Sequence, residues 1–340
     1  MKKALLFISA LFLIVATVLM SSCSEKGDKL TFADEGFKNI VAAAFEKEPD
    51  KLTSEDLARV VGIDVYYYAE RVGNTNEYKD QWSVTICKDG YHAAYEAYYS
   101  APEEDREGLT PPYEFAHNDK LDIFTGYEDF KYFTNVQDMS LTSEYTILKI
   151  NPIGFITHMK SLEDLTVYNY VISDLQPISL FKNIKNLSIG VNLRQLAEGD
   201  KIDYIEDLTP LKSLEKLETL SLSGTSVSDL SPLSALKNLK TLSCTMSSLS
   251  DISSVAGIKS LEEVNFYFNG ISDVTPLTKL PKLRTIYLDY NYITDVSPFA
   301  KLDANTIEYI TLDMNSIEDL TPLKHLGKDK IYVGYDIYWD

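Results

Sequence analysis

The chain has 340 residues, 45% of them hydrophobic, and carries 51 Asp and Glu against 32 Lys and Arg, a net charge of −19. So acidic a balance argues against nucleic acid or anionic lipid as partners, because both require a basic face. Three cysteines far apart in sequence, Cys23, Cys87 and Cys244, do not suggest a disulfide scaffold.

The first residues have the layout of a secretion signal. Lys2 and Lys3 precede an apolar run from Ala4 to Met20, and two small residues then stand before Cys23. Met20-Ser21-Ser22-Cys23 resembles a lipobox, the site where bacterial lipoproteins are lipidated on Cys and cut just before it, although Leu is preferred where Met20 stands. The resemblance implies a signal peptide over 1–22, lipid attachment at Cys23 and a polar tether over 23–30. The competing reading is an uncleaved membrane helix, for which the apolar run sits at the lower edge of the ~17–25 residues needed to span. Cleavage would remove two Lys and no acid, leaving 30 cations against 51 acids, a mature charge of −21. No other segment is apolar and long enough to cross a bilayer. Tyr335 to Asp340 shows no cell-wall sorting motif, so anchorage is expected at the N-terminus.

Residues 31–59 read as a helical cap. Phe37, Ile40, Val41, Ala44 and Phe45 fall at helical spacing within 34–47. Thr53 with Asp56 three residues on resembles a capping box, with Asp in place of Glu. Val60, Ile63 and Val65 then make a strand that an insertion, about residues 69–123, separates from Phe124, Tyr127, Phe130 and Phe133. Inside the insertion Trp82, Val84 and Ile86 alternate, and Asp89-Gly90 is a hairpin signal. Tyr91, Tyr95, Tyr98 and Tyr99 come next, then an acidic, Pro-containing loop from Ala101 to Pro112.

From about residue 160 a 22-residue unit recurs, LxxLxLxx(N/x)x(I/V)xD(L/I/V)xPLxxLxx, with its cleanest copies starting at Leu162, Leu217, Leu239, Leu261, Leu283 and Ile307. A period of 20–29 residues with Leu at these offsets is the signature of a leucine-rich repeat. Counting the first Leu as position 1, positions 1, 4, 6, 11, 14, 17 and 20 are apolar. Positions 3–7 alternate as a half-buried strand. Asp at position 13 and Pro at position 16 mark a turn onto the opposite face; Asp accepts backbone N–H bonds at a helical start and Pro tolerates a first turn. The pairs run from Asp174/Pro177 to Asp319/Pro322, with Asp251/Ser254 the exception. Weaker copies extend the array: Val136 to Met159 with four extra residues, and Ile184 to Leu214 with a loop inserted near Arg194 to Tyr204. About nine repeats result, over 60–327, closed by a capping strand in 328–340 around Ile331 and Val333. One repeat cannot bury its own Leu row, but a stack can. The expected fold is therefore an α/β-type solenoid: a leucine-rich-repeat horseshoe with a parallel β-sheet on the concave face, short 3₁₀ turns on the convex face and a helical N-terminal cap.

The DLxPL unit is similar to that of the internalin family of bacterial surface proteins. Phe32 to Val41 with Leu52 to Leu57 resembles that family's helical N-terminal cap, and Gly126-Tyr-Glu-Asp-Phe-Lys-Tyr-Phe-Thr-Asn resembles its first complete turn. The insertion at 69–123 departs from the family, and its frequent immunoglobulin-like module is absent. The resemblance implies a bacterial cell-envelope binding protein.

Strand alternation aims positions 3, 5 and 7 out of the concave face. Small hydroxyls line its middle. At its C-terminal third Tyr267, Tyr287 and Tyr309 are expected to cluster with Glu263, Asp289 and Asp313, with Asn265 beside them and Tyr168 on an earlier repeat. Tyr offers area plus a hydroxyl, and nearby acids select cationic groups. Tyr is also simply a good strand residue. The four His, His92, His117, His158 and His325, show no metal-ligand spacing, and no nucleophile, phosphate or dinucleotide motif appears. No cofactor is expected, and the reading is a binding protein rather than an enzyme. Its ligand is a protein or peptide, with a glycan-binding module or a structural spacer as the alternatives.

Overall fold

The computed structural model describes residues 30–71, 78–106, 109, 116–121, 124, 126–144, 147–148, 151–195 and 204–334. The expected signal peptide, Cys23, the tether apart from Leu30, and Tyr335 to Asp340 lie outside them. Among the described residues no helix is long and apolar enough to cross a membrane.

Helix α1 (Glu35–Ala44) starts where Asp34 accepts the N–H of Phe37, and it buries Phe37, Ile40, Val41 and Ala44. The short α2 (Ser54–Ala58) opens on the reciprocal box anticipated from Thr53 and Asp56. Asp129, fully buried, accepts the N–H groups of Ala33 (2.6 Å) and Asp34 (2.9 Å), fastening the start of α1 to the first turn of the array. Phe37 packs edge-on to Phe124 and Phe130, closing the apolar end of the stack.

Among the described residues twelve strands form one sheet. They are β1 (Val60–Arg71), β2 (Tyr78–Lys88), β3 (Ala116–Leu121), β4 (Asp138–Ser143), β5 (Asp164–Tyr168), β6 (Asn186–Gly190), β7 (Thr219–Ser223), β8 (Thr241–Thr245), β9 (Glu263–Asn265), β10 (Thr285–Tyr287), β11 (Tyr309–Thr311) and β12 (Ile331–Tyr332). β1 and β4 to β12 run parallel. β2 pairs antiparallel with β1, and β3 antiparallel with β2, so the sheet is not purely parallel as expected. Asp89-Gly90 is not the hairpin turn its sequence suggests. Gly90 adopts φ +92° and leads into helix α3 (Tyr91–Ser100), which joins β2 to β3; the hairpin is β1–β2 instead. Val84 and Ile86 of β2 are fully buried against the cap.

The convex side is built by 3₁₀ turns, one after each position-13 Asp. In seven of them the Asp Oδ1 accepts the N–H two residues on at 2.7–2.8 Å, from Asp174 with Gln176 to Asp319 with Thr321. Pro stands in each turn except the one after Asp251, where Ser253–Gly257 forms the same turn without it. Asp provides the start signal on its own, and Pro adds preorganisation. Hydrogen bonds from the hydroxyls and then the N–H groups of Thr209, Thr275 and Thr321 hold Asp207, Asp273 and Asp319 below the usual carboxylate range, and the N–H and then the hydroxyl of Ser231 do the same for Asp229. Two further ladders lock the register. At position 2, acid and base alternate: Glu163–Lys185 at 2.5 Å, Glu218–Lys240 at 2.6 Å, then Glu308 on Arg284. At position 9, Asn269, Asn291 and Asn315 bridge neighbouring turns. The Asn291 amide donates to Phe266 O (2.9 Å) and Leu288 O (3.0 Å) and accepts from Ile271 N (3.0 Å). One hydrophobic core runs from Phe32 to Val333. Cys244 is fully buried within it as a free thiol, and Cys87 is free and buried on β2, within the insertion.

Asn291 is 6% exposed, so its removal leaves backbone groups unpaired in the interior. Asn291→Ala is expected to lower stability by about 3 kcal/mol in chemical denaturation, whereas an exposed neighbour such as Tyr292→Ala stays within about 0.5 kcal/mol.

Candidate functional site

Strand pairing sets the concave residues in rows. Position 3 aligns Asp138, Asp164, Asn186, Thr219, Thr241, Glu263, Thr285 and Tyr309 in register across β4–β11. The middle is a field of hydroxyls, where Thr245 donates to Ser223 at 3.1 Å. At the aligned face positions of β4 to β11 every charged residue is an acid: Asp138, Asp164, Glu263, Asp289 and Asp313.

The expected C-terminal cluster resolves into two aromatic groups. Tyr287 and Tyr309 stand edge to face with centroids 6.2 Å apart. Burial, then Glu263 and Tyr309, raises the Tyr287 hydroxyl pKa. Tyr267 instead packs on Tyr290 (5.3 Å) and Phe268 (6.2 Å), which touch each other at 5.9 Å. Two of the acids face inward hydrogen bonds. Asp289 accepts from the Thr311 hydroxyl and from Asp313 N (2.7 Å), and Asp313 accepts from Met314 N (2.8 Å). Asn265 accepts from Tyr267 N at 3.0 Å and so shapes the turn beneath that ring. Tyr168, on β5, is four strand steps from β9, roughly 19 Å at the spacing of neighbouring strands. It stands apart from the other residues of the expected set.

Sequence reasoning passed over what position 8 does to the backbone. In the six clean copies position 8 is Asn169, Gly224, Met246, Phe268, Tyr290 and Met314, and all six lie at φ between +48° and +63°. The N–H of each of Gly224, Met246, Phe268 and Tyr290 donates to the position-7 carbonyl of the next repeat, which imposes this geometry. Gly and Asn suit it, but a bulky side chain is strained there by about 1 kcal/mol or more. Phe268, Tyr290 and Met314 nevertheless point outward, 52%, 39% and 59% exposed. Of the eight exposed large hydrophobic residues described, six fall between Phe268 and Tyr332. A cavity of about 440 Å³ adjoins this edge, lined by Met246, Tyr267, Phe268 and Tyr204, with Arg194 on its wall.

A second cavity, about 600 Å³, opens where the insertion meets the array. Asp64, Asp138, Asp164, Cys87 and Tyr91 line it, with Gly62 in its floor. Burial, and next the Asp164 charge, push the Asp138 carboxyl up to about 7. Burial also raises Asp64, against a hydrogen bond from Ser140, and raises the Cys87 thiol to about 12, which keeps it protonated. Among the described residues no three His, Cys, Asp or Glu are grouped to hold a metal ion. His158 and His325 are bonded to the carbonyls of Phe130 and Leu302, away from both cavities.

Asp138 keeps its proton in the folded chain up to about pH 7, whereas a free Asp loses it near 3.8. The folded state therefore binds more protons between these values, and its stability falls as pH rises through that window, levelling off above it. Asp138→Asn is expected to flatten the unfolding midpoint between pH 4 and pH 7 and raise it at pH 8, read by thermal unfolding across pH.

Comparison with known proteins agrees with this architecture. The family described as "Leucine Rich repeats (2 copies)" matches residues 215–257 and 259–301. The crystal structure of an internalin (inlF) from Listeria monocytogenes aligns over 89% of this chain and 76% of its own, at 21% identity and a TM-score of 0.55. That of internalin C2 (inlC2) from the same organism aligns over 89% of this chain and 94% of its own, at 19% identity and 0.49. No curated protein matches the chain in sequence. The Asp-capped turns and the in-register parallel strands, with the repeat match over 215–257 and 259–301 and the likeness to the inlF structure, give the chain a leucine-rich-repeat solenoid fold similar to that of the internalin.

Proposed function

We propose that the chain is a lipid-anchored, extracytoplasmic bacterial binding protein that recognises a protein or peptide partner through the concave face of its repeats, and that it is not an enzyme. The observation that carries this reading is the uneven surface. Large exposed apolar side chains concentrate on the last repeats, while the middle of the face is paved with small hydroxyls. A spacer would have no reason to gather aromatic surface at one end, and contiguous exposed apolar area marks interaction sites. Tyr267, Tyr287 and Tyr309, with Glu263, Asn265, Asp289 and Asp313 between them, form the contact patch, and Tyr168 lies four strands away on the same face. The apolar N-terminal run and Cys23 support the anchor.

Two measurements test this reading. The intact mass of the mature protein from its own membrane is expected to show loss of residues 1–22 and a lipid adduct on Cys23; a chain that retains Met1 to Ser22 replaces the lipid anchor with a membrane helix. In capture from the cell's envelope and from its neighbours, the Tyr267/Tyr287/Tyr309→Ala variant is expected to hold its partner at least about tenfold more weakly, as loss of aromatic hot spots does. Unchanged capture sinks the concave-face reading, and release of the partner by free sugars turns it to a glycan.

A further inference from the structure

The bulky residues at position 8 have no role in the core. Met246, Phe268, Tyr290 and Met314 occupy a left-handed backbone position that the same chain fills with Gly224 and Asn169 in two other repeats. Asn169 is fully buried, where its amide donates to Ser143 O and Gln195 Oε1 and accepts from Asn192 N, so it has a structural reason to be there. The rings of Phe268 and Tyr290 have none of comparable kind. They touch one another and Tyr267, and Phe268 and Tyr290 remain 52% and 39% exposed. Exposed apolar groups held at a strained backbone position, as Phe268, Tyr290 and Met314 are in three successive repeats, are a mark of a site where side-chain display is retained against local stability.

Successive repeats place these side chains along one edge of the solenoid. The charges on the adjoining concave face have a single sign: Glu263, Asp289 and Asp313 lie there, and no Lys or Arg stands at the aligned positions of β4 to β11. Asp289 is held in place by Thr311 and by the N–H of Asp313, so its charge keeps a fixed position beside Tyr290. Ring faces next to fixed carboxylates favour an ammonium or guanidinium group whose aliphatic stem can lie on the rings. Arg194, in the turn after β6, is a cation that lines the neighbouring cavity together with Met246 and Phe268, at the N-terminal end of the row.

We propose that the position-8 row of Met246, Phe268, Tyr290 and Met314 is a docking edge that takes an extended, Lys- or Arg-bearing segment of a protein partner. This rests on the concave-face reading and narrows it: the partner's basic, apolar-stemmed residues lie over the rim, and the inner tyrosines Tyr287 and Tyr309 take what reaches into the groove.

A random-peptide display library selected on the full chain tests this, beside two variants. In Phe268→Gly/Tyr290→Gly, glycine relaxes the left-handed positions while deleting the rings. The unfolding midpoint is expected to stay the same or rise, peptide affinity to fall at least about tenfold, and the peptides selected by the wild type to be rich in Lys or Arg beside apolar residues. A lowered midpoint means that the rings are structural and overturns the proposal. So do selected peptides that are acidic or lack cations, or a double variant that binds them as tightly. Concentration-dependent self-association lost in the variant assigns the edge to a second copy, and binding only to immobilised sugars assigns it to a glycan; each also overturns the proposal. Tyr287→Ala/Tyr309→Ala separates the two readings. Loss of binding in this variant alone leaves the concave face standing and removes the rim, whereas loss in neither removes both.

Discussion

A single repeat cannot hold its own leucine row out of water, so the whole molecule depends on keeping neighbouring repeats in register. Hydrophobic burial supplies the drive but is indifferent to sliding along the stack. The directional part comes from groups that reach from one turn to the next. The position-9 amides each join backbone donors and acceptors of adjacent turns, and the position-13 carboxylates cap the N–H groups where each turn crosses to the convex side. Exposed ion pairs such as Glu218–Lys240 contribute little to stability because solvent screens them. Their alternation along position 2 acts chiefly against misregister, since a slip by one repeat would set like charges together.

The same rule explains why the two ends differ. Stacking leaves an apolar face open at either end of the array. At the N-terminal end the face is covered by α1 and by an antiparallel extension of the sheet, with Phe37, Phe124, Phe130, Val84 and Ile86 sealed between them. At the C-terminal end the short strand β12 pairs with β11, and Ile331 and Val333 turn inward. The insertion therefore has a structural task in covering the stack. In doing so it makes a wall for the 600 Å³ cavity at β1, β4 and β5, where buried aspartates hold their protons more tightly than surface ones.

Much of the fold was legible because its determinants are periodic. Leu offsets, the Asp at position 13 and the alternation of positions 3–7 each report on contacts repeated many times, and the rows from Asp164 to Tyr309 line up as that alternation implies. Events that happen once were harder to read. Asp89-Gly90 has the composition of a hairpin turn, yet the chain runs on from it into helix α3, because Gly90 takes a positive φ as a helix N-cap, and β2 pairs with β1 before it and, only after α3, with β3. The site was half legible. Tyr287 and Tyr309 meet, but Tyr267 turns to Phe268 and Tyr290, since residue 267 lies just beyond the end of β9, where the chain bends into the left-handed position. That bend is written in Gly224 and Asn169, and the bulky residues at the equivalent sites conceal it.

The acids of the concave face show why residue type alone underdetermines a binding site. Counted by sign, Glu263, Asp289 and Asp313 are equivalent. By hydrogen bonding they are not: Asp289 is committed to the next repeat through Thr311 and the N–H of Asp313, and Asp313 closes its own turn onto Met314. A carboxylate that also braces the backbone cannot swing to meet a ligand, but it projects its charge from a fixed place without a fresh ordering cost on binding. The rings beside it share that property, because the left-handed backbone restricts where they can point. An edge of this kind gives up some of the solenoid's stability for a surface whose side chains are already held in place.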